Sequence, residues 1–311
     1  MEPIKVIILL STYNGGKYLR EQLDSIRRQD ILFDSSYSLS LLVRDDGSKD
    51  ETLAILREYM NTLEINVMTG ANVGPAKSFW ELVNTAPLAE YYAFCDQDDV
   101  WFQDKISRAI HTLEEKNSSV PQLYCSSVEW VDAALRPIRI PQAEDSGDTD
   151  FPHALLYSLS PGCTFVFNRR ALVEAQRYDF EINHVEIHDW LLHKIVSLLG
   201  EVTYDPVPSM YYRQHGNNAI GNKNESFAGT MERIIRFLTN DACVRSETAK
   251  SLLRVYGKDL ALNNRNKDYL DLVANYRDSI RKRLCFLREK AFHRGFPRDI
   301  MLEILILCGR I

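Results

Sequence analysis

The sequence predicts an α/β protein built on a mostly parallel sheet flanked by helices, with a helical appendage toward the C-terminus. Three observations predict it. Short runs rich in β-branched and aromatic residues recur at 6–10 (VIILL), 39–43 (LSLLV), 65–69 (INVMT) and 91–95 (YYAFC). The gaps between them carry apolar residues at helical spacing, and strands alternating with helices are the pattern of parallel βαβ units. After Gly221 the strand pattern stops and the chain reads as helices, so a boundary is expected near residue 220, with a main domain over 1–220 and a helical region over 221–311.

Each element has its own warrant. The apolar run of Ile4 and Val6 to Leu10 is too short for a membrane span or a signal-peptide core, and reads as a buried first strand. In the first gap Leu19, Leu23 and Ile26 fall at i, i+4 and i+7. In the second, Ser48 and Glu51 form a candidate capping box ahead of Leu53 and Leu56. Pro75 suits the first position of a third helix carrying Phe79, Leu82 and Val83. Ile106, Ile110 and Leu113 mark a fourth helix, and LYCSSVEWV (123–131) reads as a strand. The polar PQAEDSGDTD (141–150) reads as a loop. A strand at TFVFN (164–168), a helix from Trp190 to Leu199 and two short strands between 202 and 212 complete the domain.

Composition removes several functions. A chain of 311 residues with 45% hydrophobic and 26% charged content has the material for one large domain and an appendage. A formal net charge of -6 argues against nucleic acid as a partner, because that affinity rests on neutralising phosphates. The six cysteines (95, 125, 163, 243, 285 and 308) show neither a CxxC pair nor zinc-ligand spacing, so reduced thiols in a cytoplasm are expected. No GxGxxG follows any strand, which argues against a dinucleotide-binding oxidoreductase. Near the end, Arg277, Arg281, Lys282, Arg283, Arg288, Lys290, Arg294 and Arg298 precede the apolar IMLEILIL (300–307). Two readings of this stretch stand side by side: peripheral contact with an anionic membrane surface, or a solvated basic face beside a packing helix.

In an open parallel sheet, ligands bind beyond the carboxyl ends of the strands. After the first strand comes Ser11-Thr12-Tyr13-Asn14-Gly15-Gly16, which can set a nucleotide base against Tyr13 or serve only as a turn. After the second comes Arg44-Asp45-Asp46-Gly47-Ser48, either a contact to base and ribose or a capped turn. The fourth strand ends in Cys95-Asp96-Gln97-Asp98-Asp99, and three carboxylates within four residues repel one another unless a cation neutralises them. Oxygen donors of this kind suit Mg²⁺ or Mn²⁺ with substrate phosphates filling the shell. Glu186-Ile187-His188-Asp189-Trp190 opens a helix, where a carboxylate can also act merely as a cap. Tyr212-Arg213-Gln214-His215 offers a cation for a diphosphate and an imidazole for a metal, or two structural residues.

In order and spacing these clusters resemble family 2 glycosyltransferases of the GT-A fold, and within them the bacterial rhamnosyltransferase-like branch. The segments that carry the resemblance are STYNGGKYLREQLDSI, VRDDGSKDET, NVGPAKSFWELV, FCDQDDVWFQDKI, HDWLLHKIVSLLGEVTYD and YRQHGNN, spread over residues 4–220. The resemblance implies an inverting, metal-dependent transferase. Thr12 and Tyr13 would bracket the base, Asp45 and Asp46 would contact the nucleoside, Asp96 the ribose or sugar, and Arg213 the diphosphate. Asp98 and His215 would hold Mn²⁺ or Mg²⁺, Asp189 would be the catalytic base, and Gly162, Asp99 and Trp190 would lie on the acceptor side. Many members have Glu-Asp where this chain has His188-Asp189, which leaves His188 without an assigned role. The implied donor is dTDP-rhamnose, with a UDP-hexose as the alternative. The implied acceptor is a lipid-linked oligosaccharide of bacterial surface polysaccharide such as O-antigen, capsule or rhamnan. A non-catalytic glycan-binding relative is the remaining reading, which loss of Asp98 or Asp189 would have favoured.

Overall fold

The computed structural model describes residues 2–139, 147–179, 187–215, 244–260, 265–293 and 298–311. The chain divides into two compact units. One comprises Met1–Thr149, Ser158–Arg177 and Ile187–Arg213; the other comprises Asp150–Tyr157, Tyr178–Glu186 and Gln214–Ile311. The boundary expected near residue 220 lies outside the described residues, as do Glu186 and the loop at 141–150 as far as Ser146.

Among the described residues ten strands run in chain order as β1 (Ile4–Thr12), β2 (Tyr37–Asp45), β3 (Glu64–Thr69), β4 (Tyr91–Cys95), β5 (Val100–Trp101), β6 (Gln122–Ser126), β7 (Glu129–Val131), β8 (Val166–Asn168), β9 (Glu201–Asp205) and β10 (Met210–Arg213). Seven of them form one sheet in the order β3-β2-β1-β4-β8-β6-β9, and β5-β10-β7 form a small second sheet. Only β8 runs antiparallel to its neighbours in the large sheet, so the sheet is mostly parallel. Val6 to Leu10 of β1 are all 6% exposed or less, as a central parallel strand covered on both faces requires.

The flanking helices of this unit are α1 (Leu19–Arg27), α2 (Thr52–Tyr59), α3 (Pro75–Thr85), α4 (Lys105–Glu114), α6 (Arg169–Gln176) and α7 (His188–Leu199), while α5 (Phe151–Leu156) belongs to the second unit. They follow the apolar periodicity: α1 buries Leu19, Leu23 and Ile26, and α4 buries Ile106, Ile110 and Leu113. Pro75 opens α3, where its missing N–H leaves no bond unmade. Both α5 and α6 are too short to show a helical period in the sequence.

Two expectations are corrected. The capping box at Ser48 and Glu51 does not form. The Ser48 hydroxyl accepts from the Asn14 N–H (2.8 Å) and its own N–H is held by Asp45 (2.9 Å), so α2 starts later, with Asp50 accepting from the Thr52 N–H (3.1 Å). The single strand expected over 123–131 is two, because the chain leaves the large sheet at Ser127, whose N–H bonds to the Asp205 carbonyl (2.9 Å), and joins β10 in the small sheet.

The second unit is helical among its described residues, with helices at Val244–Tyr256, Arg265–Asn275, Ile280–Arg288 and Arg298–Cys308 beside α5. Its core includes an aromatic chain in which Tyr276, Phe286, Phe292 and Tyr269 meet edge to face at 4.9 to 5.5 Å. No helix among the described residues is long and apolar enough to cross a membrane.

The strand order positions the site. The chain builds β1, β2 and β3 outward on one side, then returns to place β4 on the other side of β1. The reversal opens a crevice beyond the carboxyl ends of β1 and β4. The far side of the sheet depends on Asn168, which accepts from the N–H of Ala171 to cap α6 (2.9 Å) and from the N–H of Gln122 (3.1 Å), and donates to the Val120 carbonyl (2.9 Å). Asn168→Ala removes a cap and strands two buried backbone groups, so an equilibrium denaturation series should show a loss of about 2 kcal/mol or more.

Candidate active site

The loop after β1 is fixed by the loops that follow β2 and β4. Asn14 adopts a positive φ of 47° and accepts from the Lys49 N–H (2.9 Å), while Gly15 N–H donates to Thr52 (2.8 Å) and Gly16 N–H to Asp50 (2.9 Å). A side chain at Gly15 would lie 2.2 Å from the Gln97 carboxamide oxygen, so the two loops approach as closely as they do only because Gly15 has none. Gln97 is the clamp: its Oε1 accepts from Thr12 Oγ1 (2.6 Å) and the Tyr13 N–H (2.9 Å), and its Nε2 donates to the Tyr13 carbonyl (3.1 Å). Tyr13 remains 43% exposed, an open ring at the rim of the crevice.

The two aspartates after β2 do different things. Asp45 is buried; its Oδ2 accepts from the N–H groups of Gly47 (3.2 Å) and Ser48 (2.9 Å), and its Oδ1 has no hydrogen-bond partner. Buried polar atoms are nearly always paired, so this oxygen is available to a ligand donor. Asp46, expected at the nucleoside, is instead committed to the protein. It accepts from Arg44 and from the N–H groups of Val73 (2.8 Å) and Gly74 (2.9 Å), fixing the NVGP turn ahead of α3.

Beyond β4, Asp96 and Asp98 are partly buried and Asp99 is fully buried. Carboxylate oxygens of Asp96 and Asp99 and the Cys163 sulfur lie within 4.8 Å of one another, a group that does not include Asp98. Burial, reinforced by the charges of its neighbours, raises both Asp96 and Asp99 above the usual carboxylate range; for Asp96 the neighbours are Asp98 and Asp189. Asp99 Oδ1 accepts from the Arg213 N–H (3.0 Å), and its Oδ2 has no hydrogen bond. With no exposed surface, Asp99 cannot meet an acceptor as the sequence suggested. Arg213 departs from expectation for the same reason. Its guanidinium is 1% exposed, donates to the carbonyls of Asp98 (2.7 Å) and Ala133 (2.7 Å), pairs with Glu21 (2.7 Å) and sits 4.5 Å over the Tyr18 ring. It braces the acidic loop from behind and has no face toward a diphosphate.

Asp189 opens α7. Its Oδ1 accepts from the Trp190 N–H (2.8 Å) and its Oδ2 from the Gly162 N–H (3.0 Å). Burial pushes its carboxyl up to about 6, with those two N–H groups and the Lys194 charge pulling the other way. The preceding His188 is an aromatic wedge in the core, stacked on Phe79 (4.0 Å, 11°) and edge-on to Phe94 (5.2 Å). Burial lowers it to about 3, so the ring is neutral. His215, partly buried, belongs to the second unit.

Comparison with known proteins decides the family. Residues 7–174 match the sequence profile of glycosyl transferase family 2. The chain is also 31% identical over 275 residues to a dTDP-rhamnosyl transferase of Shigella flexneri, covering 84% of this chain and 89% of the relative. The chain belongs to glycosyl transferase family 2. Solved structures agree on the fold. S. aureus TarS 1-349 in complex with UDP-GlcNAc superposes with a TM-score of 0.58 at 18% identity, covering 99% of this chain and 93% of that one. The mannosyltransferase PcManGT of Pyrobaculum calidifontis, in complex with GDP-Man and Mn²⁺, gives 0.55 at 16% identity, covering 97% and 79%. The fold is therefore GT-A, and the protein is a glycosyltransferase.

Four residues of this glycosyltransferase escaped the sequence reading. Gln97 looked like a spacer between carboxylates, and Cys163 like one of six scattered thiols. Arg44, ion-paired to Asp46 and Glu81, sat unremarked beside the paired aspartates. Lys105 is buried at the start of α4, where its Nζ donates to the Cys163 carbonyl (2.9 Å) and lies 4.7 Å over the Trp101 ring. Burial lowers it to about 8 against the opposing pull of the nearby thiols and Asp99. Among these, only Lys105 left a trace in the sequence, as a cation at the buried face of an otherwise apolar helix stripe.

The donor set fits a hard divalent cation. Two carboxylates raised first by burial and then by neighbouring negative charge, Asp98 acting on both, form a donor set that a cation would relieve. The Cys163 thiol, pushed up by burial, stays a neutral neighbour.

Two outcomes follow from this geometry. A methyl group at Gly162 would lie 2.5 Å from Asp189 Cβ, so Gly162→Ala must displace the Asp189 carboxylate. Turnover should fall about 10-fold or more with an unchanged circular dichroism spectrum, since small misplacements of a reacting group are costly. Arg213→Ala leaves Glu21 and two carbonyls without their donor, and a loss of roughly 3 kcal/mol in thermal or urea unfolding is expected. A fully stable Arg213→Ala that only binds donor poorly would restore the diphosphate role.

Proposed function

We propose that this protein is an inverting, metal-dependent rhamnosyltransferase that uses dTDP-rhamnose to extend a lipid-linked glycan in bacterial surface-polysaccharide synthesis, at the cytoplasmic side of the membrane. The observation that carries the mechanism is Asp189. A carboxylate held by two backbone N–H groups, buried enough to sit near 6, and close enough to Asp96 to raise it, has the properties of a general base beside a donor site. Relationship to the Shigella dTDP-rhamnosyl transferase supports the donor.

In this reading the nucleobase lies against the Tyr13 ring and offers a ring N–H to the free Oδ1 of Asp45, while Thr12 shapes the same loop. Asp96 faces the ribose or sugar. Asp98, with Asp96 beside it, would hold Mn²⁺ or Mg²⁺, which would supply countercharge to the diphosphate when bound. Gly162 and Trp190 flank the acceptor. The acceptor hydroxyl gives its proton to Asp189 as its oxygen bonds to the anomeric carbon. The bond from that carbon to the diphosphate oxygen breaks, its electron pair leaves with the nucleoside diphosphate, and attack from the opposite face inverts the centre.

Asp98→Ala and Asp189→Asn should each lower turnover by about 10² or more, measured as nucleoside diphosphate released in the presence of acceptor. The base works only when deprotonated. Because burial sets Asp189 near 6, kcat should fall as pH drops through that value, with the two N–H donors and Lys194 holding the midpoint down. Residual activity of Asp189→Asn should lack this limb; wild-type-like turnover in that variant would refute the assignment. Calorimetry with dTDP, UDP and GDP, each with and without Mn²⁺, tests the donor. Mn²⁺-dependent binding of dTDP is expected, and preference for UDP would move the assignment to a UDP-hexose.

A further inference from the structure

The second unit presents a surface with no task in sugar transfer. On the helix Arg298–Cys308, Leu302, Leu305 and Ile306 are buried, while Ile300, Ile304 and Leu307 remain 48%, 44% and 51% exposed. Spacing of i, i+4 and i+7 puts these three on one face, an outward apolar stripe backed by a packed one. Exposed single hydrophobes are ordinary; three in register on one helix are not. The neighbouring helix Ile280–Arg288 is fastened to it by the Arg283 guanidinium, which donates to the Leu307 carbonyl (2.9 Å). It adds Ile280 and Leu284, 72% and 44% exposed.

Charge identifies the occupant. Arg281 and Arg288 lie at i and i+7 of that second helix, on the face that carries Leu284, and both are exposed. Among the described residues neither has an acidic partner, in contrast to Lys282, which is paired with Asp278 (2.9 Å). Glu303 is the acid among the exposed residues of the apolar stripe. A protein with a net charge of -6 that keeps exposed arginines, unpaired among the described residues, beside the outward-facing Ile280 and Leu284 is complementary to a surface that is anionic and has an apolar interior within reach. A second copy of the chain would match the apolar stripe but would bring the same arginines against each other. We infer that helices 280–288 and 298–308 form a docking face for an anionic lipid bilayer, with Ile300, Ile304 and Leu307 entering the interfacial layer and Arg281 and Arg288 meeting headgroups.

Full-length protein should co-sediment with vesicles of phosphatidylglycerol and phosphatidylcholine, bind pure phosphatidylcholine vesicles about 10-fold or more weakly, and dissociate as salt is raised. Arg281→Glu with Arg288→Glu, and separately Ile304→Glu with Leu307→Glu, should each weaken binding to the anionic vesicles by about 10-fold or more. Because these sites are exposed, both variants should keep wild-type unfolding midpoints and wild-type binding of nucleoside diphosphate. Absence of binding to anionic vesicles, equal binding to neutral ones, or indifference to both double variants would overturn the inference. A concentration-dependent dimer in light scattering that Ile304→Glu abolishes would assign the face to self-association instead. Donor calorimetry separates this result from failure of the catalytic reading, since it does not depend on the docking face.

Discussion

The acidic end of β4 can exist only because Arg213 stands behind it. Three aspartates in four residues beyond a buried strand repel one another, and taking any of them out of water adds to the cost. Arg213 answers with its whole polar surface: its backbone N–H to Asp99, its guanidinium to the carbonyls of Asp98 and Ala133, and an ion pair to Glu21. Those partners come from the β4–β5 connection, the segment after β7 and helix α1, so one side chain from β10 fixes the small sheet against the large one. Lys105 adds a second buried cation, bonded to the carbonyl of Cys163. Asp96 and Asp98 are left partly exposed, with repulsion still to be relieved.

The same division of labour explains how two loops with similar composition part company. In the DDGS turn, Asp46 is spent on Arg44 and the N–H groups of Val73 and Gly74, whereas Asp45 keeps one buried oxygen unpaired. Of the two aspartates of this turn, one is committed to the protein and the other keeps an oxygen unpaired among the described residues. Sequence alone cannot say which, because both members satisfy the same turn chemistry and differ only in what the tertiary fold brings to their second oxygen.

That limit marks what was legible. Strands β1 to β4 and the helices between them followed directly from periodicity, because buried parallel strands and amphipathic helices each leave a pattern spanning many residues. The split of 123–131 into β6 and β7 was not legible, since Ser127 leaves the sheet through a bond to Asp205, nearly eighty residues away in sequence. Asp96, Asp98 and Asp189 stand out in the sequence by chemistry and position, and the fold brings the charges of Asp98 and Asp189 near Asp96. Arg213, Asp99 and Asp46 are buried and bonded within the protein, which the sequence does not reveal: a charged side chain near a site reads the same in sequence whether it faces substrate or supports the loop that does. Gly15 is legible as a turn glycine, but its pairing with Gln97 is not, as a clamp and the space it fills are evident only together.

His188 and Gly162 show how the environment of one carboxylate is set by residues that do no chemistry. A glutamate at position 188 would have to be buried between Phe79 and Phe94, where the neutral imidazole stacks at 4.0 Å on one ring and edge-on to the other. An aromatic there instead seats the first turn of α7 in the core and keeps water from that side of Asp189, which raises its pKa. Gly162 works in the other direction. Its N–H stabilises the ionised carboxylate at 3.0 Å, and its missing side chain is what allows that approach. Burial alone would leave Asp189 protonated at neutral pH if it went far enough; the two N–H donors hold it near 6, ionised at neutral pH yet still basic enough to accept a proton. The HDW segment and the glycine of SPGCTF, twenty-seven residues apart, are thus one device for tuning a single proton acceptor.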